Sequence, residues 1–254
     1  MREFGLIGYP LGHSFSGNFF SEKFRREGLQ CTYNLFPMPN IGEITALLES
    51  HPQLAGVNVT IPHKERVLPY LDSISDDARH IGAINVIRIH NGKLEGYNTD
   101  WHGFADSVKP LLRPDVRKAL ILGTGGASKA VAYALRQLKI GVTFVSRKPE
   151  KALHDNESEI KPDIIGYDSL DEKTMSANPL IVNCTPLGTY PDIESAPDIP
   201  YHLITEHHIC HDLVYNPERT EFMRRCAERG ATVKNGLEML HNQALLSWKI
   251  WTRR

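Results

Sequence analysis

The 254-residue sequence has no apolar run near the roughly 18 residues a membrane-spanning helix needs, and Phe4-Gly5-Leu6-Ile7-Gly8 is too short for a secretory signal. Charge of either sign is not in excess. With 29 basic and 30 acidic residues the formal net charge is -1, which excludes a global pull toward nucleic acid or an anionic membrane. Any affinity for anions is therefore local. There are only 4 cysteines, Cys31, Cys184, Cys210 and Cys226, and none forms a Cys-x-x-Cys pair. That argues against a disulfide framework and predicts free thiols in a reducing, cytoplasmic compartment. Repeats and low-complexity linkers are also missing.

A metal site can be drawn from His207, His208, Cys210 and His211 with Glu206 and Asp212 nearby. Yet Ile209 to Tyr215 also reads as a buried strand, on which neighbouring side chains point to opposite faces and cannot converge on one ion. No metal is predicted.

What is present is an ordinary globular composition, 41% hydrophobic and 23% charged, with length enough for about two domains. Short β-like runs alternate with helical stretches, which predicts an α/β fold with mainly parallel sheets. The first part reads as strands at Phe4 to Gly8, Cys31 to Pro37 and Leu54 to Thr60. Helices are expected at Asn18 to Glu27 and Ile41 to Leu48, and Ile84 to Ile89 with Gly92 to Tyr97 makes a hairpin across Asn91-Gly92. A helix near Phe104 to Leu112 precedes a restart of the pattern. Lys118 to Leu122, a glycine-rich turn, Lys129 to Lys139 and Val142 to Ser146 form a βαβ unit, so a second domain is expected from residue 102 to 236. Strands at Asp163 to Gly166, Leu180 to Cys184 and Ile209 to Val214 and a helix at Thr220 to Arg229 continue it. A last helix over 237–254 carries an apolar stripe, Leu240, Ala244, Leu245, Trp248 and Trp251, with which to dock elsewhere.

The turn Gly123-Thr124-Gly125-Gly126-Ala127-Ser128 suits a dinucleotide. Glycines let the backbone approach a pyrophosphate, and the first-turn amides and the helix dipole bind its charge. A third glycine of the general fingerprint is replaced by Ser128. Some 20 residues on, where an acid would take the ribose hydroxyls of NAD, stand Ser146, Arg147 and Lys148, with Lys151 a turn later. Cations there pair with a 2′-phosphate, so NADP is the predicted cofactor.

Gly12-His13-Ser14-Phe15-Ser16 lies between the first strand and first helix, where Ser16 is expected as the N-cap, a reading favoured on chemistry alone over hydroxyls that hold a carboxylate at the helix's positive end. Asn58-Val59-Thr60-Ile61-Pro62-His63-Lys64 ends in a lysine, and Asn98-Thr99-Asp100 ends in an acid. A secondary alcohol that loses hydride must also lose a proton, and a lysine can carry that proton in either direction. A lone lysine after a strand is ordinarily a surface residue.

These segments together resemble the shikimate dehydrogenase family. Gly12 to Ser16, Asn58 to Lys64, Gly82-Ala83-Ile84-Asn85-Val86, Asn98 to Asp100 and Gly123 to Ser128 carry the likeness. Asn183-Cys184-Thr185-Pro186-Leu187-Gly188, Asp212 to Pro217 and Gly236 to Leu240 with Gln243 extend it in order along nearly the whole chain. The resemblance implies reversible reduction of 3-dehydroshikimate to shikimate with NADPH, in aromatic amino acid biosynthesis, by a monomer or homodimer. It implies Lys64 and Asp100 as the catalytic pair and Ser14 and Ser16 as holders of the substrate carboxylate. By the same resemblance Thr60, Asn85 and Gln243 would bind ring hydroxyls with that pair, Tyr215 would line the pocket, and Leu213 and Gly236 would meet the cofactor. A substrate domain over 1–101, joined by the returning last helix, is implied as well. Departures stand at Gly17, where proline is common, at Trp101, where glycine is usual, and at Ser146 and Lys148. The quinate/shikimate branch of the family and a catalytically silent ligand sensor are the competing expectations.

Overall fold

The structure, a computed structural model, describes residues 1–12, 15–150 and 163–253. Its contacts divide the chain into two compact units. Unit 1 holds Met1–Thr99 and Gln243–Arg254, and unit 2 holds Asp100–Asn242.

Unit 1 is a six-stranded mixed sheet. Its strands are β1 (Arg2–Gly8), β2 (Cys31–Pro37), β3 (Leu54–Val59), β4 (Ser73–Ile74), β5 (Val86–His90) and β6 (Lys93–Tyr97), in the order β2-β1-β3-β5-β6-β4. β1 pairs in parallel with β2 and β3, whereas β5 runs antiparallel to β3 and β6. The β5–β6 hairpin turns on Asn91 and Gly92, both at positive φ (51° and 73°), which is the geometry that makes Asn-Gly so strong a turn signal. The helices are α1 (Phe15–Arg26), α2 (Ile44–Ser50) and α3 (Asp76–Ile81). Both sheet faces are covered, so strand residues alternate between two cores. Phe4 and Leu6 join Phe20, Phe24 and Trp251, while Ile7 joins Val57, Val59 and Ile84.

Unit 2 begins with α4 (Asp100–Val108) and contains β7 (Lys118–Leu122), α5 (Gly126–Gln137), β8 (Gly141–Ser146) and β9 (Asp163–Gly166). It continues with α6 (Glu172–Ala177), β10 (Leu180–Asn183), β11 (Ile209–Asp212), α7 (Glu221–Ala227) and β12 (Thr232–Lys234). The strands form one sheet in the order β12-β11-β10-β7-β8-β9, with every pair parallel. Numbered within the unit this is the 3-2-1-4-5-6 order of a doubly wound dinucleotide fold, in which the order of strand addition switches sides between β7 and β10. Ala119 and Ile121 of β7 face one core and Leu120 and Leu122 the other, as a strand covered on both sides requires.

Helix α8 (Leu237–Trp251) starts in unit 2 and ends in unit 1. Its last turn inserts Trp251, 1% exposed, against Phe4 at 5.0 Å, and the indole Nε1 donates to the Ile87 carbonyl at 3.0 Å. Helix α4 begins four residues before the expected Phe104, at the buried Asp100, and ends at Val108 in a short 3₁₀ turn around Pro110. No helix among the described residues is long and apolar enough to cross a membrane.

Candidate functional site

In unit 1 the chain leaves β3 at Thr60, whose amide donates to the Ile7 carbonyl at 2.9 Å. The buried His63 bonds the Met38 carbonyl through Nε2 at 2.6 Å, which pins the following turn from beneath. Lys64 rides on that turn, half-buried, and its carbonyl accepts from the Ile84 amide at 2.7 Å. The next residue is Asn85, 3% exposed. Its Oδ1 accepts from the Thr99 amide at 2.7 Å, and its Nδ2 donates to Thr99 Oγ1 at 3.0 Å and to Gln243 Oε1 at 3.4 Å.

One turn beyond Gln243, Ser247 extends the network. Its Oγ donates to the Gln243 carbonyl at 2.8 Å and accepts from Asn58 Nδ2 at 3.1 Å, while Asn58 Oδ1 accepts from Tyr33 Oη at 2.8 Å. The Tyr33 hydroxyl also meets Ser16, and burial pushes its pKa well up, so it stays neutral. A single chain of buried hydrogen bonds therefore joins Ser16, Tyr33, Asn58, Ser247, Thr99, Asn85 and Gln243. Ser16 lies in the first turn of α1, which begins at Phe15, so it is not the N-cap residue the sequence suggested. Its hydroxyl is turned to Tyr33 instead. Ser14 lies outside the described residues.

Sequence reasoning gave no role to Tyr33, Asn58 or Ser247. Asn58 could have been found, since it is a polar residue inside an otherwise apolar strand and a buried amide needs partners. Ser247 follows Gln243 by four residues, the spacing of one helix face.

In unit 2 Asp100, 6% exposed, opens α4, where the helix dipole favours its negative charge. Trp101 stacks on the His102 ring (3.5 Å) and meets Tyr133 of α5 edge-on (5.2 Å). The glycine turn sits at the point where the sheet reverses. Gly123 has φ +108°, which L side chains rarely adopt, and a Cβ there would lie 3.4 Å from the Thr185 methyl and 3.5 Å from the Cys184 backbone. Gly125 is the extended N-cap of α5, with no side chain capping the helix and no acid in its first turn. The amides of Gly126, Ala127 and Ser128 thus form an anion cradle. Ser128 Oγ is buried without a nitrogen or oxygen partner, its neighbour being the Cys184 sulfur. This cradle fits a pyrophosphate.

Beyond β8 the Ser146 hydroxyl accepts from the Lys148 amide at 3.1 Å, and Arg147 and Lys148 are exposed. These cations follow β8, the strand next to the one that leads into the glycine turn. Lys151 lies outside the described residues. Leu213 and Tyr215 follow β11, both half-buried. Gly236 packs so closely beneath Leu213 that a Cβ would fall 2.1 Å from its carbonyl oxygen.

The histidines near β11 disperse. His208 bonds Thr205 and the Met175 carbonyl, while His211 is fully buried with Nε2 3.1 Å from Ser107 Oγ. Burial and the Lys234 charge hold the His211 ring down to about 3. Among the described residues no group of three or more His, Cys, Asp or Glu side chains could hold a metal ion.

Residues 6–87 match the family described as shikimate dehydrogenase substrate binding domain. Over 266 residues the chain is 37% identical to a shikimate dehydrogenase (NADP(+)) of Desulforamulus reducens, covering 98% of this chain and 89% of that protein. It is 38% identical over 255 residues to the protein of the same name from Methanococcus maripaludis, with 98% and 90% covered. Its fold is similar to the crystal structure of shikimate 5-dehydrogenase from Thermus thermophilus in complex with NADP(H) and shikimate. That likeness has a TM-score of 0.87 and 36% identity, and it covers 99% of this chain and 94% of that one.

Proposed function

The chain belongs to the shikimate dehydrogenase family, and from that premise we propose that it reduces 3-dehydroshikimate to shikimate reversibly with NADPH, in aromatic amino acid biosynthesis. The full-length likeness to a protein whose structure holds both NADP(H) and shikimate carries this reading. The dinucleotide topology of unit 2 supports it.

NADPH supplies the hydride. As the ketone is reduced, Lys64 gives its ammonium proton to the carbonyl oxygen, and it takes that proton back in the reverse direction. Asp100 is the acidic member of the pair and, with Lys64, also binds ring hydroxyls of the substrate. Ser14 and Ser16 hold the substrate carboxylate, and Thr60, Asn85 and Gln243 hold ring hydroxyls. The hydrogen bonds among Asn85, Thr99 and Gln243 favour this assignment, because they fix the amides before substrate arrives. Tyr215 lines the pocket.

Gly123, Gly125, Gly126, Ala127 and Ser128 receive the pyrophosphate. Ser146, Arg147, Lys148 and Lys151 hold the 2′-phosphate, Leu213 contacts the cofactor, and Gly236 meets its nicotinamide end. Residues 1–101 with 237–254 act as the substrate domain and 102–236 as the NADP domain. The enzyme works in the cytoplasm as a monomer or homodimer, which size-exclusion chromatography with light scattering will distinguish.

The test is NADP+ reduction measured with shikimate and with quinate side by side. Turnover with shikimate and NADP+ is expected. A preference for quinate or for NAD+ would move the protein to the quinate/shikimate branch, and binding of shikimate without turnover would make it a sensor.

A further inference from the structure

Asp212 is a buried carboxylate with no assigned role. It ends β11 at 0% exposure, and its bonded partners are all neutral. Oδ1 accepts from Asn183 Nδ2 at 2.9 Å and from the Val214 amide at 3.0 Å, while Oδ2 accepts from Thr220 Oγ1 at 2.6 Å. Burial pushes the carboxyl up to about 6 against these three donors. A buried acid is a costly way to fill space, and an apolar residue would fill it at less cost.

Each partner leads to a different piece of the surface around the glycine turn. Asn183 ends β10, and its Oδ1 accepts from the Thr185 amide (3.0 Å) and hydroxyl (2.7 Å). Thr185 in turn lies against Gly123. Val214 stands between Leu213 and Tyr215, and its carbonyl accepts from the Gly236 amide at 3.1 Å. Thr220 caps α7 through the Met223 amide at 3.3 Å and closes the loop that leaves β11.

We propose that Asp212 is a positioning residue for the dinucleotide, clasping the loops after β10 and β11 in the shape that receives the cofactor. The inference rests on reading unit 2 as the NADP-binding unit. Asp212 touches neither cofactor nor substrate and acts through Asn183, Thr185 and Val214. The clasp depends on acceptor geometry more than on charge. An asparagine keeps one oxygen for Asn183 and Val214 and turns its amide to Thr220 Oγ1, which has lone pairs to accept it.

The experiment compares wild type with Asp212→Ala, Asp212→Asn and Thr185→Val by NADP titration and by steady-state kinetics, with thermal melts confirming that each is folded at the assay temperature. Asp212→Ala is expected to raise the NADP Kd and KM at least tenfold while the shikimate KM stays within twofold. Asp212→Asn should restore NADP binding to within threefold of wild type. A purely structural residue would lower the melting temperature and leave the constants of the folded enzyme unchanged, so a folded Asp212→Ala with wild-type NADP affinity overturns the inference. Equal weakening for both substrates also overturns it. Should Asp212→Ala fail to fold, Thr185→Val decides, because it removes only the far link. An NADP-selective loss of at least threefold supports the clasp, and an unchanged Kd refutes it. Wild-type protein that does not bind NADP would instead sink the reading of unit 2.

Discussion

The seat of Trp251 on β3 can be tested by a double-mutant cycle with Gly56. A Cβ on Gly56 would lie 2.3 Å from both Cδ1 and Nε1 of the indole, so Gly56→Ala cannot be accommodated unless the ring moves. Overpacking of this kind costs about 1–3 kcal/mol. Trp251→Ala removes a fully buried indole, about 150–250 Å² of contact at about 25 cal/mol per Å², together with the bond to Ile87. Partial collapse of the cavity brings the expected loss to about 4 kcal/mol. In the Trp251→Ala background the methyl of Gly56→Ala enters empty space, and its cost should vanish or turn slightly favourable, since alanine suits a strand better than glycine. The coupling between the two changes is therefore about 1–3 kcal/mol. Urea unfolding followed by far-UV circular dichroism measures it. If Gly56→Ala costs the same in both backgrounds, the ring does not sit on β3 and the packing described for α8 is wrong.

Lys64→Ala should lower turnover by about two orders of magnitude or more with little change in shikimate binding, as loss of a general acid does. Near-normal turnover in stopped-flow assays would remove Lys64 from the reaction. Arg147→Ala should raise the KM for NADP at least about tenfold and leave that for NAD unchanged, because only NADP carries the 2′-phosphate. A variant equally weakened for both would shift the adenine-side anchor elsewhere. His211 has a folded pKa near 3, below the ordinary 6.5, so its neutral ring contributes stability that is present above 6.5 and lost as pH falls toward 3. Asp212 works in the opposite sense, its contribution being full below 3.8 and lost as pH rises through about 6. Thermal melts from pH 7 to 4 should accordingly fall more steeply for wild type than for His211→Gln, and parallel curves would contradict the burial argument.

Unit 2 was legible because its elements announce themselves. The apolar run Lys118–Leu122, the glycine turn and the helical stretch behind it have the spacing of a βαβ unit, and the structure places them so. What escaped was short. The two-residue strand Ser73–Ile74 offers no periodicity, and α3 and α6 span only six residues each. For β12, Thr232–Lys234, pairing to β11 creates the strand, and tertiary pairing cannot be read from three residues. At the candidate site the exposed or motif-borne residues could be nominated from the chain, and Asn58 stood out as a polar residue in an apolar strand, but the partners of Tyr33, Asn58 and Ser247 could not be read. Their significance lies in whom they touch, and a hydrogen bond between residues 58 and 247 has no local signature.

Because α8 begins in one unit and finishes in the other, the order of synthesis runs against the order of completion. Unit 2 is a continuous stretch, Asp100–Asn242, and can close once that stretch has left the ribosome. Unit 1 is made first and finished last. From Phe4 to its stacking partner Trp251 the ribosome adds 247 residues, roughly 12–50 s at about 5–20 residues per second. Throughout that interval Phe4, Phe20, Phe24 and Tyr33 lack the indole that seals them. A released chain ending at Asn242 therefore holds all of unit 2 but lacks the indole that seals the aromatic face of unit 1, a species primed to bind chaperones or to aggregate.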